Sequence, residues 1–475
     1  MLPVEFKKRM ENLLGGESEL LFKEIESGVA VRSFRINEIK LSVEDYENNP
    51  AEIDSAPARF PKGAFYTEEE HPGALPCHHA GMIYMQDPSA MATVHAMKIP
   101  KGAKILDSCS APGGKTTQLA AMTGESGIVV ANEYEAKRCR ILLGNVERMG
   151  CRNTVVVNHD TAVLAEVYPE KFDVVLCDAP CSGEGMFRKN SLAIDEWSPD
   201  NVKMCAERQQ EILTNVAKCV AAGGSLIYST CTFSLEENEM NVKWFLDTHP
   251  DFELVSVDEE LRAVTSDGIM LEGCDYDMTK ARRFYPHVSR GEGQFIAVMK
   301  RSGESVEPVR EVKDCRDKKK KSAPSKPSRE EIELLAAAGE FLRENLCHGF
   351  ENGVEYELFP LNGRVYLKRD IALPKYGVFS AGVCVGEISG KRFLPHHQIF
   401  SAFGTAFKRR VMLSSGDVET AMYIKGMEIS VDGREVHEGK PDGFAAVLVD
   451  NCALGGGKIS GGVCKNYYPK GLREQ

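Results

Sequence analysis

Cys181, in Asp178-Ala-Pro-Cys-Ser-Gly183, and Cys231, in Ser229-Thr-Cys-Thr232, are the residues whose settings most directly suggest chemistry. Each closely follows a short run rich in Val, Ile or Leu, at 172–177 and 225–229, that reads as a β-strand. On neighbouring parallel strands the two thiols would lie at one edge of the sheet, beside the crevice that strand ends enclose. A hydride-transferring enzyme has no need of two thiols there. Methylation of carbon 5 of a pyrimidine does need one, because that carbon is a poor nucleophile. Addition of sulfur to carbon 6 creates an enamine that takes the methyl group.

The second informative segment is Asp107-Ser-Cys-Ser-Ala-Pro-Gly-Gly-Lys-Thr116. It ends a strand at Asp107, turns through Cys109, Ser110, Ala111, Pro112, Gly113 and Gly114, and opens a helix near Lys115. The glycines let backbone approach a ligand, and a helix start offers free N–H donors. A phosphate-cradling loop needs glycine five residues before Gly114, where Cys109 stands, and Pro112 removes a further donor. That mismatch argues against a nucleoside triphosphate. The next strand delivers Glu133, about twenty residues past the turn, where an acid accepts hydrogen bonds from both ribose hydroxyls of an adenosine-containing cofactor. Asp160, after the third strand, is placed to receive an adenine amino group. These three features leave a dinucleotide and S-adenosylmethionine both open; the paired thiols favour the methyl donor.

Positioning these groups requires strands at 103–108, 128–132, 154–157, 172–177 and 225–229 to alternate with helices such as 136–149 and 202–222. Gly223-Gly224 reads as the stop of the second helix, and 295–299 as a late edge strand. Such a series predicts an α/β chain built on a Rossmann-like, doubly wound sheet. The expected organisation is an α+β extension over 1–80, the doubly wound domain over 81–301 and a linker over 302–328 rich in Lys, Arg, Ser and Pro. A small α+β module over 329–400, opened by a helix at 329–345, and a β-rich module over 401–475 with Gly-punctuated strands would follow.

The composition, 43% hydrophobic and 27% charged, is that of an ordinary globular chain. No apolar run approaches the ~18 residues of a membrane span, and the first residues do not read as a signal peptide. A cytoplasmic protein is the expectation. Fifteen cysteines without a C-x-x-C pair argue against a zinc ribbon, a thioredoxin motif and a disulfide framework. No metal is therefore expected. Most thiols, Cys177 among them, should be buried small hydrophobes, and Cys109 should serve its turn by size. A net charge of −12 is unusual for a nucleic-acid binder, yet residues 310–329 carry nine basic against three acidic side chains. Arg282-Arg283, the lysines at 318–321 and Lys408-Arg409-Arg410 are basic clusters. Phosphate responds to the local field, so the charge permits an RNA partner without proposing one.

Through the two cysteine motifs and the glycine turn, together with Gln86-Asp87-Pro88-Ser89-Ala90 and Arg35-Ile-Asn37, most of the chain resembles the Sun/Fmu-type RNA (cytosine-5) methyltransferases. Within them it resembles the RsmF-like branch of bacterial 16S rRNA methyltransferases. Ser110 stands where the family commonly has alanine, and Glu133 where some members have aspartate. The resemblance implies S-adenosylmethionine as cofactor, lined by Cys109, Ser110, Ala111, Pro112, Gly113, Gly114, Lys115, Glu133, Asp160 and Asp178. It implies Cys231 as nucleophile and Cys181 as the residue that helps release the product. Asp178 would hydrogen-bond the ring-nitrogen edge of cytosine, with Lys115 helping to hold the base.

The resemblance further implies a C-terminal PUA-like RNA-binding module, an RNA-positioning N-terminal extension, and 16S rRNA or the small ribosomal subunit as partner. A monomer, with neither membrane nor DNA involved, is expected. Transfer RNA would suit the same modules, whereas a non-catalytic ribosome assembly factor would need neither cysteine. The target base must leave its stack to be reached. Phe187, Arg188 and Trp197, after the fourth strand, are candidates for stacking or phosphate contact, with loop packing the alternative for Trp197. A free thiol, with a pKa near ~8.5, needs donor-rich surroundings to ionise. Lys115 and the 229–232 turn are the candidates to supply them.

Overall fold

The computed structural model describes residues 1–50, 53–303 and 328–473, so nearly all of the linker expected at 302–328, its lysines at 318–321 included, lies outside the described residues. Unbroken runs of Val, Ile and Leu form the central sheet because both its faces are covered. Strands β1 (Lys104–Asp107), β2 (Ile128–Asn132), β3 (Thr154–Val157), β4 (Phe172–Asp178) and β5 (Val220–Thr230) lie parallel in the order β3-β2-β1-β4-β5. Strand β6 (Gln294–Arg301) adds antiparallel to β5.

Successive strand residues serve opposite faces. Val129 and Val156 pack with Leu119 and Leu142, from helices α1 (Gly114–Thr123) and α2 (Ala136–Arg148). Val130 and Val155 pack with Leu164, Leu213 and Phe245, from α3 (Thr161–Val167), α4 (Pro199–Ala217) and α5 (Glu239–Thr248). The chain is thus the expected α/β, Rossmann-like doubly wound fold. Its strand order reverses between β1 and β4, which opens a crevice at their carboxyl ends.

Three local expectations are corrected. Helix α4 starts at Pro199, capped by Ser198 Oγ accepting from Asn201 N at 3.1 Å, and ends at Ala217, short of residue 222. Gly223 and Gly224 belong to β5, at an irregularity where Phe172 faces Val220 but Val174 faces Ser225. The extra residues there must turn back on themselves, and Gly223 does so at a φ of 74°. Strand β6 is not an edge: Phe252–Val255 and Arg282–Phe284 pair along its other side. At the far end of the sheet, Val378–Ser380, from the region expected to form a separate small module, pairs antiparallel with β3.

The N-terminal region supplies two helices, Val4–Leu14 and Ser18–Glu26, and a four-stranded sheet that includes Ser33–Ile36 and Ile83–Met85. After the central domain, helix Arg329–Asn345 begins with a capping box formed by Ser328 and Glu331. A four-stranded and a six-stranded sheet follow. The six-stranded sheet and the N-terminal sheet share one core, in which Phe34, Phe65 and Ile83 meet Val411, Val447 and Leu454. Among the described residues no helix is long and apolar enough to cross a membrane.

Lys40 sits where these regions meet the central domain. Its Nζ donates to the carbonyls of Ala80 at 2.7 Å, Arg148 at 3.0 Å and Ala453 at 2.8 Å. Burial pushes its ammonium down to about 7 from an ordinary 10.5. Across that interval the unfolded chain holds more protons than the folded one, so stability rises with pH from about 7 to 10.5 and the gain is lost as pH falls back to about 7. Lys40→Met should flatten this slope by up to about 1.4 kcal/mol per pH unit, read from denaturation midpoints at neutral and mildly alkaline pH.

Candidate active site

Strands β4 and β5 run in parallel with Asp178 facing Ser229, so the segments that leave them travel side by side. This brings Cys181 Sγ to 3.2 Å from Cys231 Sγ, both half-buried. The hydrogen bond with Cys231, and then burial, hold the Cys181 thiol well above its ordinary value. Both causes favour the thiol form of Cys181.

Asp178 is the polar hub beside the thiols. Its Oδ2 accepts from Lys115 Nζ at 2.7 Å, and its Oδ1 accepts from Ser229 Oγ at 2.6 Å and Gln294 Nε2 at 3.2 Å. Lys115, one candidate for favouring ionisation of Cys231, thus pairs with Asp178, as does Ser229 at the start of the 229–232 turn. Gln294 gave no sequence signal, because it lies on a strand that reads only as apolar filling.

Two carboxylates that sequence reasoning missed tie the cysteine loops together. Glu237 Oε2 accepts from Ser182 N at 2.9 Å and Gln209 Nε2 at 2.8 Å, and its other oxygen accepts from Ser182 Oγ. Glu184 accepts from Phe233 N at 2.9 Å, Ser234 Oγ at 2.7 Å and Trp197 Nε1 at 2.9 Å. Burial pushes the Glu237 carboxyl up to about 7. Acids placed three and six residues after the two cysteines were the available signal.

The glycine turn joins β1 to α1. Gly113 takes a φ of 111°, and a Cβ there would stand 3.1 Å from Leu142 Cδ1; a Cβ on Gly114 would stand 3.0 Å from Gln86 Cδ. Arg35, almost wholly buried, donates to Gly114 O at 2.7 Å and Thr117 Oγ1 at 2.8 Å, so the N-terminal sheet braces the turn. Ser110 N donates to Asn132 O at 2.8 Å and its Oγ to Asp107 O at 2.8 Å, while the Ala111 N–H points to Glu133 Oε2 at 3.3 Å. Asp107, absent from the expected site, is buried at the tip of β1, and burial pushes its carboxyl up to about 7. Its Oδ2 accepts from Thr116 Oγ1 at 2.6 Å, while Oδ1 has no hydrogen-bond partner. A hydrogen bond with Cys177, and then burial, hold the Cys109 thiol well above its ordinary value. Glu133 is buried at the end of β2; Asp160 is exposed and caps α3 through Ala162 N at 2.8 Å.

Phe187, Arg188 and Trp197 are packed inside rather than presented to a ligand. Phe6 of the first helix meets the rings of Phe187 and Trp197 at centroid distances of 5.1 and 5.9 Å. Arg188 Nε donates to Glu292 Oε2 at 2.9 Å. Phe187 and Trp197 fasten the first helix to the thiol loops, and their apolar bulk explains why sequence alone left packing open for Trp197.

A sheet of this order, with its functional groups gathered at the carboxyl ends of the strands, is that of a Rossmann-like methyltransferase. The crystal structure of a methyltransferase homologue from Pyrococcus horikoshii, 28% identical, matches 62% of this chain and 94% of that one with a TM-score of 0.55. Three family descriptions match in succession: the N-terminal domain of 16S rRNA methyltransferase RsmF at residues 2–88, 16S rRNA methyltransferase RsmB/F at 94–300 and the methyltransferase RsmF PUA domain at 412–474. Ribosomal RNA small subunit methyltransferase F of Klebsiella pneumoniae is 30% identical over 93% of this chain and 90% of its own length. Its counterpart in Erwinia tasmaniensis is 29% identical over 99% and 96%. The chain belongs to the RsmF family of 16S rRNA methyltransferases.

Proposed function

We propose that this chain is an S-adenosylmethionine-dependent RNA (cytosine-5) methyltransferase that acts on 16S rRNA through a bond between Cys231 and carbon 6 of cytosine. The observation that carries the reading is the pair of sulfurs 3.2 Å apart at the ends of adjacent strands, beside the Asp178–Lys115 pair. The substrate follows the relatives matched along nearly the whole chain, whose name specifies the small-subunit ribosomal RNA.

The residues present fit the cofactor. The turn at Gly113 and Gly114 leaves no room for a side chain, Asp107 Oδ1 is a buried acceptor without a partner, and Glu133 offers a carboxylate at the next strand tip. Cys109, Ser110, Ala111, Pro112, Gly113, Gly114 and Lys115, with Glu133, Asp160 and Asp178, would hold it, and Asp107 joins them. When bound, S-adenosylmethionine supplies an electrophilic methyl group.

The chain's own groups do the rest. Cys231 sulfur bonds to carbon 6 and drives electron density to carbon 5, which becomes nucleophilic. Asp178, fixed by Lys115, Ser229 and Gln294, presents an oriented carboxyl group to the ring-nitrogen edge of the base, at no cost in reorganisation. Once carbon 5 carries the methyl group, its remaining proton passes to solvent water, the electron pair of that carbon–hydrogen bond re-forms the ring double bond, and the carbon–sulfur bond breaks with its pair returning to sulfur. Cys181, holding its proton, donates to the Cys231 sulfur as that sulfur departs as a thiolate.

Two measurements test the reading. Bisulfite sequencing of 16S rRNA from cells with and without the gene should reveal a cytosine protected only when the gene is present; an unchanged 16S pattern would remove this substrate. Cys181→Ala should leave an SDS-stable protein–RNA adduct at least about tenfold above the native level, because release rather than addition is impaired.

A further inference from the structure

We propose that Glu184 and Glu237 are positioning residues, a reciprocal pair of carboxylates that sets the spacing of Cys181 and Cys231 and through it the balance between forming and releasing the RNA adduct. The second half of this inference rests on the cysteine roles proposed above; the first half does not.

The cysteines lie just past the ends of β4 and β5, at 179–183 and 231–234, where the backbone is neither strand nor helix. Ladder hydrogen bonds therefore end short of the two sulfurs, which stand 3.2 Å apart, and the loops that carry them are held chiefly by side chains. Glu184, three residues past Cys181, crosses to the second loop and takes Phe233 N and Ser234 Oγ. Glu237, six residues past Cys231, crosses back and takes Ser182 N and Ser182 Oγ. Between these crossings Gly185 N donates to Cys231 O at 2.9 Å, and the Ser182 and Thr232 hydroxyls meet at 2.9 Å.

Both glutamates are fully buried. A carboxylate is costly to bury unless it is well hydrogen-bonded, so these two are not there for solubility. Each also reaches a donor on a helix or the loop leading to one: Trp197 Nε1 for Glu184, and Gln209 Nε2 on α4 for Glu237. The staple is thereby anchored to the frame of the domain. Loss of either carboxylate frees one loop while the other stays held, and the sulfurs part.

The experiment uses the full chain. Without RNA, diamide takes two hydrogens from the thiols, joins Cys181 to Cys231 as a disulfide and is itself reduced to the hydrazine. In Glu184→Ala and Glu237→Ala this closure should slow at least about tenfold, with Glu237→Gln in between, because an ordered pair reacts at high effective concentration. Alkylation of Cys274, in the same domain and half-buried, should stay at the native rate and report an intact fold. With RNA and S-adenosylmethionine present, the alanine variants should retain adduct at least about fivefold above native, as a milder form of Cys181→Ala.

An unchanged closure rate overturns the staple. Slowed closure without extra adduct, where Cys181→Ala does trap RNA, overturns its link to release. If Cys181→Ala itself traps nothing, the proposed cysteine roles fail, and diamide closure still decides whether the staple exists. Should an alanine variant not fold, Glu237→Gln and Ser182→Ala carry the same readouts.

Discussion

Cys231→Ala should lower methyl transfer to RNA by at least about ten-thousandfold, some 5 kcal/mol of barrier at ~1.36 kcal/mol per decade, while melting stays close to native. Cys181 lies 3.2 Å away, so it is the obvious substitute, yet it is held as a thiol by burial as well as by Cys231. Removing Cys231 takes away its own influence and leaves the burial. Iodoacetamide should therefore alkylate Cys181 faster in the variant without restoring turnover. Cys231→Ser should recover little, because a serine hydroxyl at its free pKa is a far weaker nucleophile than a thiolate. The decisive check is the double variant: adduct that accumulates in Cys181→Ala should vanish when Cys231→Ala is added. Adduct that persists would place the covalent bond on another residue and sink the mechanism.

What the sequence revealed about this site depended on how local each signal is. The cysteine motifs, the glycine turn and Glu133 sit at strand ends, and strand ends follow from short Val- and Ile-rich runs; β2 and β3 fall on the residues expected. Asp178 and Lys115 were each legible, but their 2.7 Å contact was not, since it depends on β1 and β4 being neighbours. Glu184 and Glu237 look like ordinary surface acids in a chain rich in them, and only the meeting of two irregular loops turns them inward. The early end of α4 was hidden because 218–224 continues its apolar spacing, whereas pairing with β4 claims those residues for a strand.

Long-range assembly was beyond reach for a related reason. Val378–Ser380 is a three-residue run whose partner, β3, lies more than two hundred residues earlier. The core shared by Phe34 and Ile83 with Val411 and Val447 joins the two ends of the chain, and no periodicity within either end encodes it. Function follows from that closure. Arg35 on the N-terminal sheet braces the glycine turn at Gly114, while the same sheet packs on the C-terminal one, so the region matched by the PUA description is mechanically continuous with that turn.

Arg283→Met should destabilise the fold by about 3–5 kcal/mol, the cost of leaving a buried carboxylate without its cation. Arg283 is 2% exposed and Glu239 is not exposed at all. The guanidinium grips both oxygens of Glu239: Nε reaches Oε1 at 2.6 Å and Nη2 reaches Oε2. Glu239 Oε1 also accepts from Ile269 N at 2.9 Å, so the carboxylate is fixed in place whether or not the arginine remains. Its third contact connects stability to chemistry: Arg283 Nη1 donates to Phe233 O at 2.9 Å, on the Cys231 loop. Burying two charges costs nearly what their attraction returns, so Arg283→Met with Glu239→Leu should recover most of the lost stability. It should not recover turnover fully, because the Phe233 carbonyl still lacks its donor. Denaturant midpoints for the two single variants and the pair, read beside initial methylation rates, separate these contributions. Single-variant losses below about 1 kcal/mol would mean that water reaches the pair and that it stabilises the Cys231 loop no more than a surface bridge does.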